Sequence, residues 1–351
     1  MTSNSFEKEI KPLELKKDYP LAKHTTWKVG GPAEYFVEVK TKQDLIKSII
    51  AARKADIAVT IIGWGSNILV SDKGIKGLVI KNSYSEINIL EECSYSPDKT
   101  NYARLKQVDS SQYYSFTDID YIEETSVARK VNISSGTPLP LTINTLIRQG
   151  ITGLQWFSGI PGTIGGAVYN NIHGGSHFIA EFVSRVEVLD ENNNLTWIDK
   201  EQLDFAYDYS IFQTNTNYIV SVEFCFPIGD KDKALAASTE WARKKSLQPS
   251  NSAGCTYQNI TETEQEKLGL ESNSWGYIID KILGLKGKQI GQAKISDKHA
   301  AFIETYPGAT SEDVIKVMEL IASTSKEKLG IIPHPEIFFL GFNDDELKHI
   351  K

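Results

Sequence analysis

The segment SGIPGTIGGAVYNNIHGG, residues 158–175, is a glycine-rich loop, and a shorter one, IIGWGSNILV, occupies residues 61–70. Glycine has no side chain and tolerates positive φ, so such loops let backbone N–H groups come within hydrogen-bonding distance of phosphate oxygens. Each loop alone could be a tight structural turn. Two of them in one chain favour a site that binds a pyrophosphate group.

We call the loop at residues 61–70 the first glycine-rich loop and the loop at residues 158–175 the second, in chain order. The residues around the first loop alternate between strand and helix patterns. AEYFVEV (33–39) predicts a strand, and Thr41 is a plausible N-cap for the helix that follows. VTIIG (59–63) and GLVIK (77–81) predict two further strands, so this region is a β–α–β unit. Neither glycine loop matches GxGxxG at the start of a βα unit or GxxxxGK[ST], which argues against the classical dinucleotide and P-loop folds.

The second loop lies among other regular patterns. Residues 131–150 predict a strand followed by a helix, and residues 184–203 predict a hairpin around the turn formers DENNN. The polar stretch between Asn82 and Val131 is predicted to be an insertion, either partly disordered or a long surface loop. The first 20 residues predict a loose arm or a helix on the surface.

Composition limits the possible functions. The 351 residues carry a net charge of −7, with 24% charged and 40% apolar residues. This balance argues against a general nucleic-acid binder, which needs a basic face. The longest apolar runs are far shorter than the ~20 residues that span a membrane, and the N-terminus is polar and charged. We therefore expect a cytoplasmic protein that binds neither nucleic acid nor membrane.

The cysteines and histidines predict no metal site and no disulfide framework. Cys93, Cys225 and Cys255 are odd in number and lack CxxC spacing, which favours a reducing compartment. Cys93 and Cys225 are expected to be buried as small hydrophobic residues. The six histidines are spread from His24 to His349.

Together, the two loops resemble the flavin-binding domain of the UDP-N-acetylenolpyruvoylglucosamine reductase family. HTTWKVGGPAEYF (24–36) is similar to the family segment that precedes the first loop. SAGCTYQN (252–259), SDKHA (296–300) and Pro335-Glu336 follow in the family's order. No tyrosine insertion lies between Pro227 and Arg243, so the chain is similar to the family's shorter subclass.

The resemblance implies an α+β fold of the FAD-binding, vanillyl-alcohol-oxidase-like (PCMH-type) class with a C-terminal α/β substrate-binding domain. The implied segments are an arm (1–20), a first FAD-binding subdomain (21–90), an insertion (91–130), a second FAD-binding subdomain (131–229) and the substrate-binding domain (230–351). It also implies the cofactors FAD and NADPH, and a cofactor site formed by Gly63, Trp64, Gly65, Ser66, Asn67, Gly159, Ile160, Pro161, Gly162, Thr163, Gly165, Gly166, Ala167 and Asn171.

The implied reaction is the reduction of the enolpyruvyl group of a UDP-sugar, which yields UDP-N-acetylmuramate for peptidoglycan and so serves cell shape and division. Cys255 matches the position of the family's proton donor, commonly a serine, and a thiol with a pKa of about 8.5 is the stronger acid. Glu336 matches a catalytic glutamate whose burial would raise its pKa. The structural alternatives are a cysteine that only packs and a glutamate at an exposed strand end. The residues that match substrate positions are Tyr207, Lys245, Asn259 and His299.

Two segments depart from the family pattern. Asp208 stands where the family has an arginine that contacts the substrate carboxylate, and an acid cannot replace a cation there. Another basic group, such as His173 or a lysine, takes that role, or the substrate or activity differs. His173 itself lies in an altered flavin-facing segment and is either structural or catalytic.

These observations predict a monomeric FAD-dependent reductase of a UDP-sugar. A flavin oxidase of the same superfamily and a non-catalytic flavin or nucleotide binder remain alternatives at this stage.

Overall fold

The computed structural model describes residues 3–94, 121, 123 and 125–350, with side chains from Phe6 onward. Most of the predicted insertion at residues 91–130 lies outside these ranges. The strands are β1 (Lys16–Pro20), β2 (Pro32–Val39), β3 (Val59–Ile62), β4 (Ile68–Val70), β5 (Ile75–Asn82), β6 (Ile87–Ser94), β7 (Val127–Ser134), β8 (His173–Gly174), β9 (His177–Phe178), β10 (Val183–Leu189), β11 (Leu195–Asp199), β12 (Tyr218–Pro227), β13 (Gln289–Ile290), β14 (Ala293–Ile295), β15 (Ile303–Thr305) and β16 (Phe338–Leu340).

The helices are α1 (Ser3–Ile10), α2 (Lys42–Lys54), α3 (Leu139–Ile147), α4 (Ile164–Tyr169), α5 (Lys231–Ser246), α6 (Glu262–Leu268), α7 (Trp275–Tyr277), α8 (Ser311–Leu329) and α9 (Asp344–Leu347). A π-helical turn, Ile278–Leu283, continues α7. In the described part of the chain, no helix combines the length and the apolar character that crossing a bilayer requires.

The first sheet confirms the predicted β–α–β unit. Its strand order is β1-β2-β5-β3, with β2 and β3 both parallel to β5. Thr41 begins α2 as predicted, because its side chain accepts a hydrogen bond from the Asp44 backbone at 3.1 Å. The buried face of α2, which includes Leu45 and Ile49, packs on this sheet.

The N-terminal segment is part of this unit rather than a loose arm. Phe6 and Ile10 of α1 are fully buried in the same core cluster as α2. Strand β1 pairs antiparallel with β2 along residues 16–20. These few apolar side chains lie between charged ones, so the pattern along the chain did not reveal how deeply they pack.

The second sheet is antiparallel, with strand order β11-β10-β12-β7-β6, and contains the predicted hairpin of β10 and β11. Helices α3, α4 and α5 contribute to the large core on one of its faces. Strand β6 occupies residues that were predicted to belong to a polar insertion, and that prediction is wrong for this part. Because β6 is an edge strand with mostly exposed side chains, it lacks the apolar alternation that marks a strand.

The predictions that the cysteines form no disulfide and that Cys93 and Cys225 are buried are also wrong. The two residues form a disulfide whose Cα atoms are 6.7 Å apart, and both are partly exposed rather than buried. Cys93 lies on β6 and Cys225 on β12, the two strands on either side of β7. A separation of 132 residues gives no local spacing that would indicate this pairing.

The C-terminal region has its own core around α8 and the small sheet β13-β14-β15. Trp27, near the N-terminus, packs in this core and donates its indole N–H to the Ile303 carbonyl at 2.7 Å. Strand β16 leaves the region and pairs in parallel with β4, with Phe338 opposite Ile68. The C-terminal region therefore returns to the end of the first glycine-rich loop.

Candidate active site

A cleft of about 1830 Å³ lies between the first sheet, the second sheet and the C-terminal region. Both glycine-rich loops line it, together with residues of β3, the segments around residues 207–219 and 245–259, and residues 332–340. The cleft is therefore the place where the two glycine-rich loops meet the Cys255 loop and the Glu336 segment.

The two glycine-rich loops contact each other. The Ser66 hydroxyl donates to the Pro161 carbonyl at 2.8 Å. A Cβ atom added to Gly63 would lie 2.7 Å from the hydroxyl oxygen of Thr163, so only glycine allows this approach. The contact turns two separate loops into one continuous wall of backbone.

This wall fits a pyrophosphate-containing cofactor. In the described part of the chain, the backbone N–H groups of Trp64, Gly65, Ser66, Gly162 and Thr163 donate to no other protein group. Backbone N–H groups of a loop that line a cleft can donate to a bound anion. Gly65 has a φ of +62°, and a Cβ there would come 2.0 Å from the His24 carbonyl oxygen. The loops thus have the free donors and the absence of side chains that FAD binding requires.

The loop that contains Cys255 and the segment that contains Glu336 are joined by main-chain hydrogen bonds. The Glu336 N–H donates to the Thr256 carbonyl at 2.9 Å, and the Gln258 N–H donates to the His334 carbonyl at 3.0 Å. The Asn67 side-chain amide donates to the Glu336 carbonyl at 3.2 Å. Cys255 is partly exposed, is not part of a disulfide and lines the cleft. The thiol and the carboxyl group therefore lie on one wall, beside the first glycine-rich loop.

Glu336 has an altered electrostatic environment. Burial raises its pKa well above the ordinary value of 4.5, and the nearby Asp208 carboxylate raises it further. Lys245 acts in the opposite direction and lowers that pKa. Since burial and Asp208 prevail, the site favours the protonated form of Glu336, which can donate a hydrogen bond.

Asp208 is a buried carboxylate that sequence reasoning left without a role. It is 4% exposed, and neither carboxylate oxygen has a hydrogen-bond partner among the described residues. Its φ of +50° lies in the left-handed region, which aspartate tolerates better than most residues. His173 faces this carboxylate, and its Nδ1 lies 3.5 Å from Oδ1 of Asp208.

The residues predicted to bind substrate all line the cleft: Tyr207, Lys245, Asn259 and His299. Two of them also make structural hydrogen bonds. Asn259 accepts from the Trp275 N–H at 3.3 Å, and His299 Nδ1 accepts from the Ala301 N–H at 3.2 Å. Their side chains are therefore held in place before any ligand arrives.

Asn171 is the one predicted cofactor residue that does not line the cleft. Its side chain is fully buried, donates to the Ala206 carbonyl at 2.7 Å and accepts from the Ala180 N–H at 3.2 Å. Because both ends of the amide bind the backbone, we do not retain Asn171 as a cofactor residue. The other thirteen predicted cofactor residues line the cleft.

No cluster of three or more potential metal ligands occurs among residues 3–94, 121, 123 and 125–350. His173 and His177 are four residues apart on the β8–β9 hairpin, but they face different carboxylates. His177 Nδ1 lies 2.8 Å from Glu181, whereas His173 faces Asp208.

Comparisons with known proteins agree with this geometry. The profile of the UDP-N-acetylenolpyruvoylglucosamine reductase C-terminal domain matches residues 247–340, and that of an FAD-binding domain matches residues 112–199. UDP-N-acetylenolpyruvoylglucosamine reductase 1 of Bacillus anthracis is 31% identical over 328 residues, covering 92% of this chain and 94% of that protein. The Bacillus subtilis (strain 168) reductase is 31% identical over 344 residues, covering 95% of this chain and 98% of its own.

The crystal structure of UDP-N-acetylenolpyruvylglucosamine reductase from Thermus caldophilus superposes with a TM-score of 0.65 at 25% identity, covering 93% of this chain and 98% of that one. The fold, the cleft and the matched profiles define an FAD-dependent oxidoreductase with an added C-terminal domain. The chain belongs to the UDP-N-acetylenolpyruvoylglucosamine reductase family.

Proposed function

We propose that this protein converts UDP-N-acetylglucosamine enolpyruvate to UDP-N-acetylmuramate with NADPH as reductant, as a cytoplasmic monomer in peptidoglycan synthesis. The relatives carry the name of this reductase. The main support within the structure is the 2.9 Å hydrogen bond from the Glu336 N–H to the Thr256 carbonyl. It fixes a carboxyl group beside the thiol-bearing loop, on one wall of the cleft. Family membership favours a reductase over the oxidase alternative.

The glycine-rich wall around Gly65 and Gly162 would hold the FAD pyrophosphate through its free N–H groups. When bound, FAD would supply the reducing equivalents for the enolpyruvyl group, with NADPH as their source. Lys81 supports the wall from behind, because its ammonium group donates to the Gly63 carbonyl. Burial lowers the pKa of Lys81, as expected for a cation that is packed inside the protein.

Cys255 is the proposed proton donor. Hydride addition places negative charge on the neighbouring carbon and its carboxylate, and a proton must then reach that carbon. The S–H bond breaks, the new C–H bond forms, and the thiolate later recovers a proton from water. Because a thiol is a stronger acid than the serine hydroxyl that is common in the family, it suits this role.

Glu336 is the proposed acid that stabilises the developing charge. Its raised pKa keeps a proton on the carboxyl group, which can donate a hydrogen bond to the substrate carboxylate as charge accumulates there. An ionised carboxylate at the same position would repel that charge. Lys245, at the C-terminal end of α5, and Asn259 are the proposed contacts of the UDP group.

The experiment compares the wild type with Cys255→Ala and Cys255→Ser. The FAD-loaded wild type should lose its flavin absorbance on addition of NADPH and regain it on addition of UDP-N-acetylglucosamine enolpyruvate. Cys255→Ala should lower turnover by about 100- to 10,000-fold, while reduction by NADPH is unchanged. Cys255→Ser, which keeps an acidic hydrogen, should retain most of the activity. A protein that refuses FAD, or turnover unchanged in Cys255→Ala, would overturn the proposal.

A further inference from the structure

We propose that Asp208 and His173 act as a pair in which the buried carboxylate fixes the imidazole ring and the ring binds the carboxylate group of the substrate. The inference rests on the proposed function, which supplies a substrate of that class. In this pair Asp208 is a positioning residue, because it acts through His173, and His173 is the residue that contacts the substrate.

Asp208 cannot meet a ligand directly. Both carboxylate oxygens are shielded from solvent, and the side chain as a whole is 2% exposed. An isolated buried carboxylate is costly unless a donor or a cation compensates it. The Asp208 side chain must therefore be balanced by a neighbouring group of the protein.

His173 is the neighbour suited to that role. Its Nδ1 lies 3.5 Å from Oδ1 of Asp208, at the outer limit of a hydrogen bond, so a small rotation of the ring completes the contact. The ring is held between Tyr207 and Phe178, whose centroids lie 5.4 and 5.6 Å away. With Nδ1 directed at Asp208, Nε2 is the nitrogen left for a ligand.

His173 is accessible where Asp208 is not. Its side chain is 29% exposed and lines the same cleft as Cys255 and Glu336. The short hairpin of β8 and β9 carries it, and the hairpin is fixed at its other end by the contact of His177 with Glu181. The ring is thus presented to the cleft from a braced element.

Binding a carboxylate at Nε2 requires hydrogen on both ring nitrogens, because Nδ1 is directed at Asp208. Two other titratable groups lie near the pair. Burial and Asp208 raise the pKa of Glu336, and Lys245 of α5 acts on Glu336 in the opposite direction. An N–H donor at His173 is what a substrate carboxylate needs as negative charge develops on it.

The first experiment measures the state of the histidine ring in the FAD-loaded protein. Histidine ¹⁵N labelling and long-range proton–nitrogen correlation report which ring nitrogens carry hydrogen, and His173→Gln assigns the signal by its disappearance. Asp208→Asn, which keeps the side-chain size and tolerates positive φ, should shift the His173 nitrogen resonances and leave those of His177 unchanged. Glu181→Gln should do the reverse. His173 resonances unaffected by Asp208→Asn would overturn the pair.

The second experiment separates carboxylate recognition from binding of the nucleotide sugar. His173→Gln should lower kcat/KM for UDP-N-acetylglucosamine enolpyruvate by about 10- to 100-fold, the range for loss of a charged hydrogen bond. Inhibition by UDP-N-acetylglucosamine, which lacks the carboxylate, should be unchanged. His349→Gln is the control, because His349 is exposed and lies outside the cleft, and it should leave both constants as in the wild type.

A double variant tests whether the two residues act together. If Asp208 works through His173, then His173→Gln/Asp208→Asn should be no worse than His173→Gln alone. The inference would be overturned if His173→Gln weakened inhibition by UDP-N-acetylglucosamine as much as it lowered kcat/KM for the enolpyruvyl substrate. Additive losses of kcat/KM in the double variant would also overturn it. In both cases wild-type turnover would still support the proposed function. Absence of turnover in the FAD-loaded wild type would instead reject the proposed function.

Discussion

The side-chain amide of Asn67 donates to the backbone carbonyl of Glu336 at 3.2 Å, across a sequence separation of 269 residues. Asn67 ends the first glycine-rich loop, and its own carbonyl accepts from the Phe338 N–H at 3.0 Å. One residue of the cofactor wall therefore holds both sides of the segment that carries the proposed catalytic acid.

Removing the hydrogen bond between Asn67 and Glu336 should lower the activity of the protein more than its folding stability. Asn67→Ala leaves the Glu336 carbonyl without its donor, and a small displacement of a catalytic group can cost up to about 100-fold in rate. We expect kcat to fall by roughly 10-fold or more, measured in steady-state turnover, with little change in the melting temperature. Asn88→Ala, at an exposed position on β6 away from the cleft, is the matched control. Equal activity in the two variants would contradict the linkage.

Glu336→Gln should change how stability depends on pH. Because the folded-state pKa is raised above the ordinary value of 4.5, the folded protein holds the proton more tightly than the unfolded chain. The wild type should thus lose stability as the pH rises from about 4.5 through the folded-state pKa, and the variant should lack this loss. Urea unfolding between these pH values measures the difference. If the stability of the two proteins changed with pH in the same way, the pKa of Glu336 in the folded protein would not be raised.

Cys255→Ser should alter the alkaline side of the pH–rate profile. If the thiol donates the proton, wild-type turnover falls at alkaline pH as the thiol ionises. A serine hydroxyl does not ionise in this range, so the variant should keep its rate to higher pH. The measurement is kcat of both proteins between about pH 6 and 10. Tyr and Lys side chains begin to titrate at the upper end of this range. Identical alkaline limbs would indicate that Cys255 is not the donor.

Gly65→Ala should weaken FAD binding by two separable effects. The new Cβ would lie 2.0 Å from the His24 carbonyl oxygen, and the φ of +62° is unfavourable for alanine. Gly308→Ala controls for the second effect, since its φ is +89° and no atom lies within 4 Å of the added Cβ. We expect Gly308→Ala to cost about 1 kcal/mol and Gly65→Ala considerably more, with loss of bound FAD visible in the absorbance spectrum. Full FAD occupancy in Gly65→Ala would contradict the close approach.

The disulfide predicts both a thiol count and a stability change. Denatured protein should react with one thiol equivalent before reduction and with three afterwards. The bond spans 132 residues, and removing a crosslink of such length costs about 4 to 5 kcal/mol in the chain-entropy account. Cys93→Ser/Cys225→Ser should therefore unfold at lower urea concentration. Three reactive thiols in the unreduced protein would show that the bond is not formed.

Local patterns predicted the parts of the fold that depend on local physics. The β2–α2–β3–β5 unit was predictable because each element has its own apolar period, and α2 has its cap at Thr41. The parallel pairing of β16 with β4 was not predictable, because each strand has only three residues, which are too few to show a periodic pattern of apolar residues. The Cys93–Cys225 bond was missed for a related reason, because only the sheet order brings the two residues together.

The residues of the site were largely predictable from their motifs, whereas their relationships were not. Cys255 and Glu336 were singled out by the resemblance, but the hydrogen bond that joins their segments runs between backbone atoms and leaves no trace in residue type. Asp208 was noted as a departure, and its contact with His173 depends on a left-handed turn that the residue letters do not reveal. Asn171 shows the converse, since a residue in a matching motif is used entirely for structure.

The pairing of β16 with β4 has a consequence for biosynthesis. A ribosome adds about 5 to 20 residues each second, so the 269 residues between Asn67 and Glu336 require roughly 13 to 54 s. Throughout that interval the nascent chain carries a cofactor loop whose partner strand does not yet exist. The loop therefore gains its partner strand only after residues 338–340 have been synthesised and have left the ribosome.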